Sequence, residues 1–97
     1  SDRELDIEEF SKNADFALIL DGIKEPGNLG TIIRTAEAAG VDAVYLVNDC
    51  ADIYNPKAVR STMGSIFRVK FKYISDLEPI HMLKQRGFKI IASSLRD

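Results

Sequence analysis

One short stretch, residues 25 to 40, places an asparagine, a glycine and an arginine at helical spacing. The segment EPGNLGTIIRTAEAAG opens with a proline–glycine break and continues as a helical pattern, which makes Asn28 the expected helix cap. Gly30 lies one turn before Arg34 on the same face, and long helical side chains lean towards the N-terminus. The Arg34 guanidinium is therefore expected over Gly30, beside Asn28 and the free amides of the helix start, where it suits a phosphate or a developing oxyanion.

A second candidate for anion binding is the basic stretch from residue 56 to residue 72, which contains no acidic residue. Its cationic residues are Lys57, Arg60, Arg68, Lys70 and Lys72. Positive charge concentrated in this way attracts anions even though the net charge of the whole chain is −2. Solvated surface side chains explain the same run equally well, so both interpretations stay open.

A purely structural interpretation also covers the first stretch. Asn28 can be only a cap, Gly30 only a packing gap, and Arg34 only a surface residue. The dinucleotide fingerprint G-x-G-x-x-G is absent, because only Gly27 and Gly30 are available there, and no G-K-[ST] phosphate loop is present. If these residues form a phosphate site, that site uses neither of these two motifs.

The elements that must position these residues alternate between strands and helices. Apolar runs bounded by turn residues predict strands at residues 16–20, 43–47 and 88–93, and alternation of apolar with basic residues predicts a half-exposed strand at residues 66–74. Helices are predicted between them: one with an apolar stripe from residue 29 to Gly40, one from the Asn55 cap and Pro56 to Met63, and one from Ser75 or Asp76 to Lys84. A further short helix is predicted at residues 4–12.

This alternation predicts an α/β fold, a parallel sheet with helices on both faces. With 97 residues, 45% hydrophobic and 29% charged, the chain is expected to form one domain, residues 1–97. Open sheets of this type bind ligands beyond the carboxyl ends of their strands, here the loops 22–28 and 48–55. No apolar run of roughly 18 residues is present, so no membrane span is expected.

The remaining reactive side chains are isolated in sequence. His81 has no cysteine or carboxylate cluster around it, so no metal site is expected. The single cysteine, Cys50, lacks a neighbouring histidine and cannot form an intramolecular disulfide, which favours a reducing compartment, the cytoplasm. Ser61 and Ser65 lie near Gly64 and offer hydroxyls to a ligand, although a helix end stopped by glycine explains them too.

Two segments resemble motifs of one enzyme family. Residues 21–47, DGIKEPGNLGTIIRTAEAAGVDAVYLV, closely resemble motif 1 of the SpoU, or TrmH-like, RNA ribose 2′-O-methyltransferases of the SPOUT superfamily. The N-x-G-x-x-x-R core of that motif is matched by Asn28, Gly30 and Arg34. Residues 55–69, NPKAVRSTMGSIFRV, resemble motif 2 of the same family, with the matching positions Arg60, Ser61, Gly64 and Phe67.

The resemblance implies a homodimer that transfers a methyl group from S-adenosylmethionine to a ribose 2′-hydroxyl of ribosomal or transfer RNA. Arg34 would engage the target phosphate and assist deprotonation of the hydroxyl, with Asn28 positioning it. Because the pKa of a guanidinium exceeds about 12, that help is electrostatic or acts through the phosphate. The RNA-binding residues would be Arg34, Lys57 and Arg60, and the cofactor-binding residues Gly64 and Ser65.

The third motif of the family, a glycine- and glutamate-containing loop followed by an asparagine-bearing helix, is expected after the strand at 88–93. In the family that part forms the trefoil knot and most of the cofactor pocket, and this chain reaches Asp97 without it. The resemblance therefore implies the N-terminal part of a SPOUT methyltransferase domain, without the knot region and inactive alone. The alternative is a non-catalytic module that binds RNA or a partner subunit through Arg34, Lys57 and Arg60.

Overall fold

The computed structural model describes residues 16–94, which form an α/β unit. In chain order its elements are β1 (Phe16–Asp21), α1 (Pro26–Ala38), β2 (Ala43–Val47), α2 (Pro56–Thr62), a 3₁₀ turn (Ser65–Phe67), β3 (Lys70–Tyr73), α3 (Glu78–Gln85) and β4 (Lys89–Ser94). The helix predicted at residues 4–12 lies outside the described residues. None of the helices in the described range is long and apolar enough to span a membrane.

The strands form one parallel sheet in the order β3-β2-β1-β4, as the alternation predicted. Leu18 in the middle of β1 is paired with Val44 of β2 on one side and with Ile91 of β4 on the other. The chain steps from β1 to β2 to β3 in one direction and then returns to the far side of β1 for β4. Such a reversal is where open α/β sheets leave a crevice at the carboxyl ends of their strands.

Helices pack on both faces of the sheet, which confirms the predicted layers. Alternate strand residues point to opposite faces, so that Leu20 and Leu46 pack with α1 and α2 while Ile19 and Tyr45 pack with α3. Both sets of side chains are buried. The apolar runs of β1 and β2 are therefore continuous because helices cover both faces of these strands.

The third strand is shorter than predicted. Residues 65–67 form the 3₁₀ turn instead, and Phe67 is 87% exposed. The first pair between β2 and β3 joins Ala43 to Lys70, so residues before Lys70 have no β2 residue opposite them. The prediction of a strand from residue 66 was wrong because alternation of apolar and basic residues does not show where the partner strand begins.

Tyr73, at the end of β3, forms hydrogen bonds with the loop that leads into α2. Its hydroxyl accepts a hydrogen bond from the backbone N–H of Ile53 at 2.8 Å and donates to the carbonyl of Ala51 at 2.5 Å. Partial burial raises the pKa of this phenol, so the hydroxyl stays protonated and remains a donor. Ile53 itself is fully buried.

Replacing Tyr73 by phenylalanine is expected to lower the free energy of unfolding by about 1–3 kcal/mol, because the buried N–H of Ile53 loses its partner. Urea denaturation of the full-length protein measures the change. The control is Tyr54→Phe, since the Tyr54 side chain is 67% exposed. Equal stability of the two variants would show that the Tyr73 hydroxyl does not hold the loop.

Candidate functional site

The start of α1 is capped by Glu25, and the prediction of Asn28 as the cap was wrong. The Glu25 carboxylate accepts hydrogen bonds from the backbone N–H of Gly27 at 3.1 Å and of Asn28 at 3.0 Å. Pro26 occupies the first helical position, where its missing N–H costs nothing. Asn28 consequently lies inside the first turn, and the amides predicted to be free for a ligand are bound to a carboxylate of the chain itself.

Gly30 provides the close contact between α1 and α2. A Cβ at this position would lie 2.3 Å from the carbonyl oxygen of Ala58 and 2.6 Å from Cβ of Ser61. No side chain fits into that space, so only glycine lets the two helices approach this closely. Gly30 therefore leaves the gap between the helices that the purely structural interpretation expected.

Arg34 lies on the side of α1 that meets α2. It is one turn beyond Gly30 and one turn before Glu37, which contacts the 3₁₀ turn, so these three positions share one side of the helix. Its side chain is exposed, and among residues 16–94 it makes no hydrogen bond or ion pair. A permanently charged planar group is thus available to a ligand at the edge of the helix pair.

Asn28 is not joined to Arg34 by a hydrogen bond in the described part of the chain. Six residues along an α-helix correspond to about 9 Å and about 1.7 turns, which places the two side chains on different sides of α1. Asn28 is half-buried. That Asn28 positions Arg34 stays a prediction. In this geometry such positioning requires a ligand that contacts both Asn28 and Arg34.

The two predicted phosphate contacts on α2 differ in their surroundings. Asn55 caps α2 as predicted, accepting from the backbone N–H of Lys57 at 2.9 Å. Nζ of Lys57 forms an ion pair with the Glu25 carboxylate at 3.1 Å, so its charge is shared with a residue at the start of α1. Arg60 is exposed one turn further along and has no side-chain partner within residues 16–94.

Gly64 and Ser65 lie at the other end of α2, where the chain enters the amino end of β3. Ser65 is 2% exposed and its hydroxyl donates to the Glu37 carboxylate at 3.3 Å. That carboxylate also accepts from the Arg68 guanidinium at 3.2 Å, and this guanidinium lies beside Gly64. The contacts tie the 3₁₀ turn to α1.

These two residues do not fit an S-adenosylmethionine site in the described structure. The Ser65 hydroxyl is buried and already bonded to Glu37, and the turn lies away from the carboxyl ends of the strands, where sheets of this type bind ligands. The assignment of Gly64 and Ser65 to the cofactor stays a prediction that these contacts do not support.

Polar residues that the sequence interpretation did not single out gather at the carboxyl ends of β1 and β2. They line an open cavity formed by Asp21, Gly22, Lys24, Asn48 and Asp49. The Asn48 amide donates to the Asp21 carboxylate at 2.9 Å. Asn48 and Asp49 have φ angles of 59° and 62°, a left-handed conformation that is uncommon outside glycine. The available signal was Asp21 at the end of the first buried run and the pair Asn48–Asp49 directly after the second.

Cys50 lies in the loop after β2, and His81 lies on α3. The Cys50 thiol is half-buried between the first two strands, 3.4 Å from the backbone nitrogen of Ile23 and 3.3 Å from the carbonyl oxygen of Leu20. Such contacts hold the ends of β1 and β2 together. His81 is exposed on α3, and the described residues contain no group of three or more side chains placed to hold a metal ion.

The electrostatics at the helix starts favour ionised Glu25. Hydrogen bonds from the backbone N–H of Gly27, then from the Lys57 ammonium and the backbone N–H of Asn28, lower the pKa of Glu25 below its ordinary value. The carboxylate therefore stays charged at neutral pH and balances the positive end of the α1 dipole.

Comparison with known proteins places the chain in a family. Residues 15–97 match the model of the SpoU rRNA Methylase family. The chain is 41% identical over 80 residues to the 23S rRNA (guanosine(2553)-2′-O)-methyltransferase RlmP of Bacillus subtilis, covering 82% of this chain and 32% of that protein. It is 49% identical over 74 residues to the mitochondrial rRNA methyltransferase 3 of Xenopus tropicalis, covering 76% of this chain and 18% of that protein. The chain thus spans about a third or less of the length of these relatives.

Solved structures show the same fold. The SpoU methyltransferase AviRb from Streptomyces viridochromogenes superposes with a TM-score of 0.69 at 28% identity, over 84% of this chain and 32% of that chain. The AdoMet-bound rRNA methyltransferase from Sinorhizobium meliloti superposes with a TM-score of 0.64 at 37% identity, over 75% of this chain and 28% of that chain. Since the family model covers the whole described sheet with both motif-bearing helices, the chain belongs to the SpoU rRNA Methylase family.

Proposed function

We propose that the protein carrying this chain transfers a methyl group from S-adenosylmethionine to a ribose 2′-hydroxyl in RNA. Membership of the SpoU rRNA Methylase family supports the reaction, as does the likeness to an AdoMet-bound rRNA methyltransferase. The observation of this chain that carries the proposal is Arg34, an exposed arginine without a partner among residues 16–94, on the side of α1 that meets α2.

The role of Arg34 follows from the charge that develops on the nucleophile. A ribose hydroxyl must give up its proton to attack a methyl group. A guanidinium does not accept that proton because it is permanently protonated in proteins, so the proton passes to solvent while the donor leaves without its methyl group. Arg34 instead holds the neighbouring phosphate with its two-pronged fork and stabilises negative charge as it appears on the oxygen. Asn28 contributes a side-chain amide to the same RNA segment from the first turn of α1.

Arg60 and Lys57 extend the positive surface along α2. Arg60 is exposed and unpaired among the described residues, so it can contact a second phosphate. Lys57 is closer to the start of α1 and is partly neutralised by Glu25. Contacts of this kind release counterions from RNA, so binding through them weakens as salt concentration rises.

Methyl transfer by the full-length protein tests the proposal. The protein is incubated with RNA and isotopically labelled S-adenosylmethionine, the RNA is digested to nucleosides, and the nucleosides are identified by mass spectrometry. Label on the 2′-oxygen of one nucleoside is the expected result. Label on a base would contradict the proposed acceptor. RNA binding that weakens with salt but yields no labelled nucleoside would favour the non-catalytic RNA-binding module instead.

We further infer that the protein works as a homodimer in the cytoplasm. Large apolar side chains support the dimer, because Met63 directly after α2 and Phe67 in the 3₁₀ turn are 69% and 87% exposed. The free thiol of Cys50 is consistent with a reducing compartment. Sedimentation equilibrium of the full-length protein checks the first inference, and a single species of monomer mass would contradict it.

A further inference from the structure

We propose that Tyr54 binds RNA by stacking on an unpaired base, so that the RNA is single-stranded where it passes the start of α2. This inference rests on the proposed function, in which RNA phosphates lie along α1 and α2, and it adds the class of RNA that fits. Unpaired bases can be turned outward and stacked on aromatic side chains, whereas the bases inside a duplex are covered by their neighbours.

Tyr54 is an exposed residue on a turn whose backbone is held by hydrogen bonds. Its own N–H donates to the Asp52 carboxylate at 2.9 Å. The preceding N–H, that of Ile53, donates to the Tyr73 hydroxyl at 2.8 Å. The following N–H, that of Asn55, donates to the Asp52 carbonyl at 3.0 Å. Because the backbone is already ordered while Tyr54 is 67% exposed, binding a ligand on this ring costs little conformational entropy.

The Tyr54 ring is supported from one side by Phe71 of β3. The two ring centroids are 5.6 Å apart and the ring planes meet at 62°, which is an edge-to-face contact. Phe71 is half-buried and packs against the core that the sheet shares with α1 and α2. Within residues 16–94 the Tyr54 hydroxyl forms no hydrogen bond. The ring is therefore held in place by Phe71 and is open to solvent over most of its surface.

Two exposed cations follow Tyr54 along the chain. Lys57 lies in the first turn of α2, and Arg60 lies about 5 Å farther along the helix axis. Lys57 shares its charge with Glu25, whereas Arg60 has no side-chain partner within residues 16–94. Proteins that bind single-stranded nucleic acids combine aromatic rings, on which bases stack, with positive charge along the sugar–phosphate backbone. Tyr54 with Lys57 and Arg60 provides both groups side by side.

The charge next to Tyr54 favours RNA over an apolar protein surface. The exposed apolar residues that support the dimer, Met63 and Phe67, follow the other end of α2, a helix about 10 Å long. Tyr54 is thus separate from them and has Lys57 and Arg60 on the same helix as its charged neighbours. Phosphates between the stacked base and the next nucleotides of the strand would lie opposite these cations.

RNA binding by the full-length protein tests the stacking without methyl transfer. A fluorescein-labelled uridylate decamer is titrated in the absence of S-adenosylmethionine, and binding is followed by fluorescence anisotropy. Tyr54→Leu is expected to bind the decamer about tenfold more weakly than wild type, because leucine still covers Phe71 but has no aromatic face. Tyr54→Phe keeps the ring, so its affinity is expected within about twofold of wild type.

A duplex separates stacking from contacts to phosphates. The same labelled decamer is annealed to an adenylate decamer, and the titrations are repeated. Tyr54→Leu should bind this duplex as wild type does, because its bases are paired and covered. Arg60→Ala removes a charge, so it should weaken binding of the single strand and of the duplex alike.

A cross-link supplies a readout that needs no variant. Thiouridine replaces uridine in the decamer, the complex with wild type is irradiated, and the cross-linked peptide is identified by mass spectrometry. We expect the cross-link on the peptide that contains Tyr54. Thermal denaturation shows whether Tyr54→Leu is folded, and if it is not, the cross-link decides.

Several results would overturn the stacking. They are equal affinity of wild type and Tyr54→Leu for the single strand, an equal loss by Tyr54→Leu on the duplex, and a cross-link confined to other peptides. Binding that depends on the Tyr54 ring, together with absence of methyl transfer by wild type, would refute the proposed function alone. Methyl transfer by wild type with no effect of Tyr54→Leu on binding would refute the stacking alone.

Discussion

Alanine in place of Arg34 is expected to lower kcat for methyl transfer to RNA by about 10²- to 10³-fold in the full-length protein, the usual cost of losing one group that stabilises a developing oxyanion. The fold should persist, because the exposed Arg34 side chain contacts no hydrogen-bonding or ionic partner within residues 16–94. Thermal denaturation checks that condition and single-turnover kinetics measures the chemical step.

Two further variants make the Arg34 measurement specific. Arg34→Lys keeps the positive charge but loses the planar fork, so an activity between those of Arg34→Ala and wild type is expected. Lys84→Ala removes a cation from α3, on the opposite face of the sheet, and should leave kcat unchanged. Turnover by Arg34→Ala close to that of Lys84→Ala would remove Arg34 from the reaction.

Most of the fold could be predicted from sequence because the signals are local. The apolar runs of β1 and β2 are bounded by turn residues, and Asn55 followed by Pro56 marks the start of α2. The parallel sheet follows from the alternation of such elements. The start of β3 could not be predicted in this way, since it depends on where Ala43 of β2 lies opposite Lys70.

The site was harder to predict because its contacts join distant parts of the chain. Glu25 is not among the residue types that usually cap helices, and its side-chain partner, Lys57, is 32 positions away. The backbone amides that we predicted to be free for a ligand are thus bonded to Glu25, and no local sequence pattern shows this. Arg34, Lys57 and Arg60 are all on α1 and α2 as predicted. Only the packing of these helices shows that Lys57 is paired with a carboxylate, that of Glu25.

Gly30→Ala is expected to lower the free energy of unfolding by about 3 kcal/mol, at the upper end of the range for overpacking in a closely fitted interior. The added methyl group would lie 2.3 Å from the carbonyl oxygen of Ala58, which is backbone and cannot rotate away. Relief requires α1 and α2 to separate, and the buried side chains between them lose contacts with one another. Urea denaturation measures the change.

The controls for Gly30→Ala separate the clash from the ordinary effects of alanine in a helix. Thr35→Ala, at an exposed position of α1, should change the free energy of unfolding by less than about 0.5 kcal/mol. Adding Ser61→Gly to Gly30→Ala removes the second close neighbour but not the carbonyl of Ala58, so it should restore stability only in part. If Gly30→Ala is as stable as Thr35→Ala, the two helices can move apart at little cost. The spacing between Arg34 on α1 and Arg60 on α2 would then not be fixed by this contact.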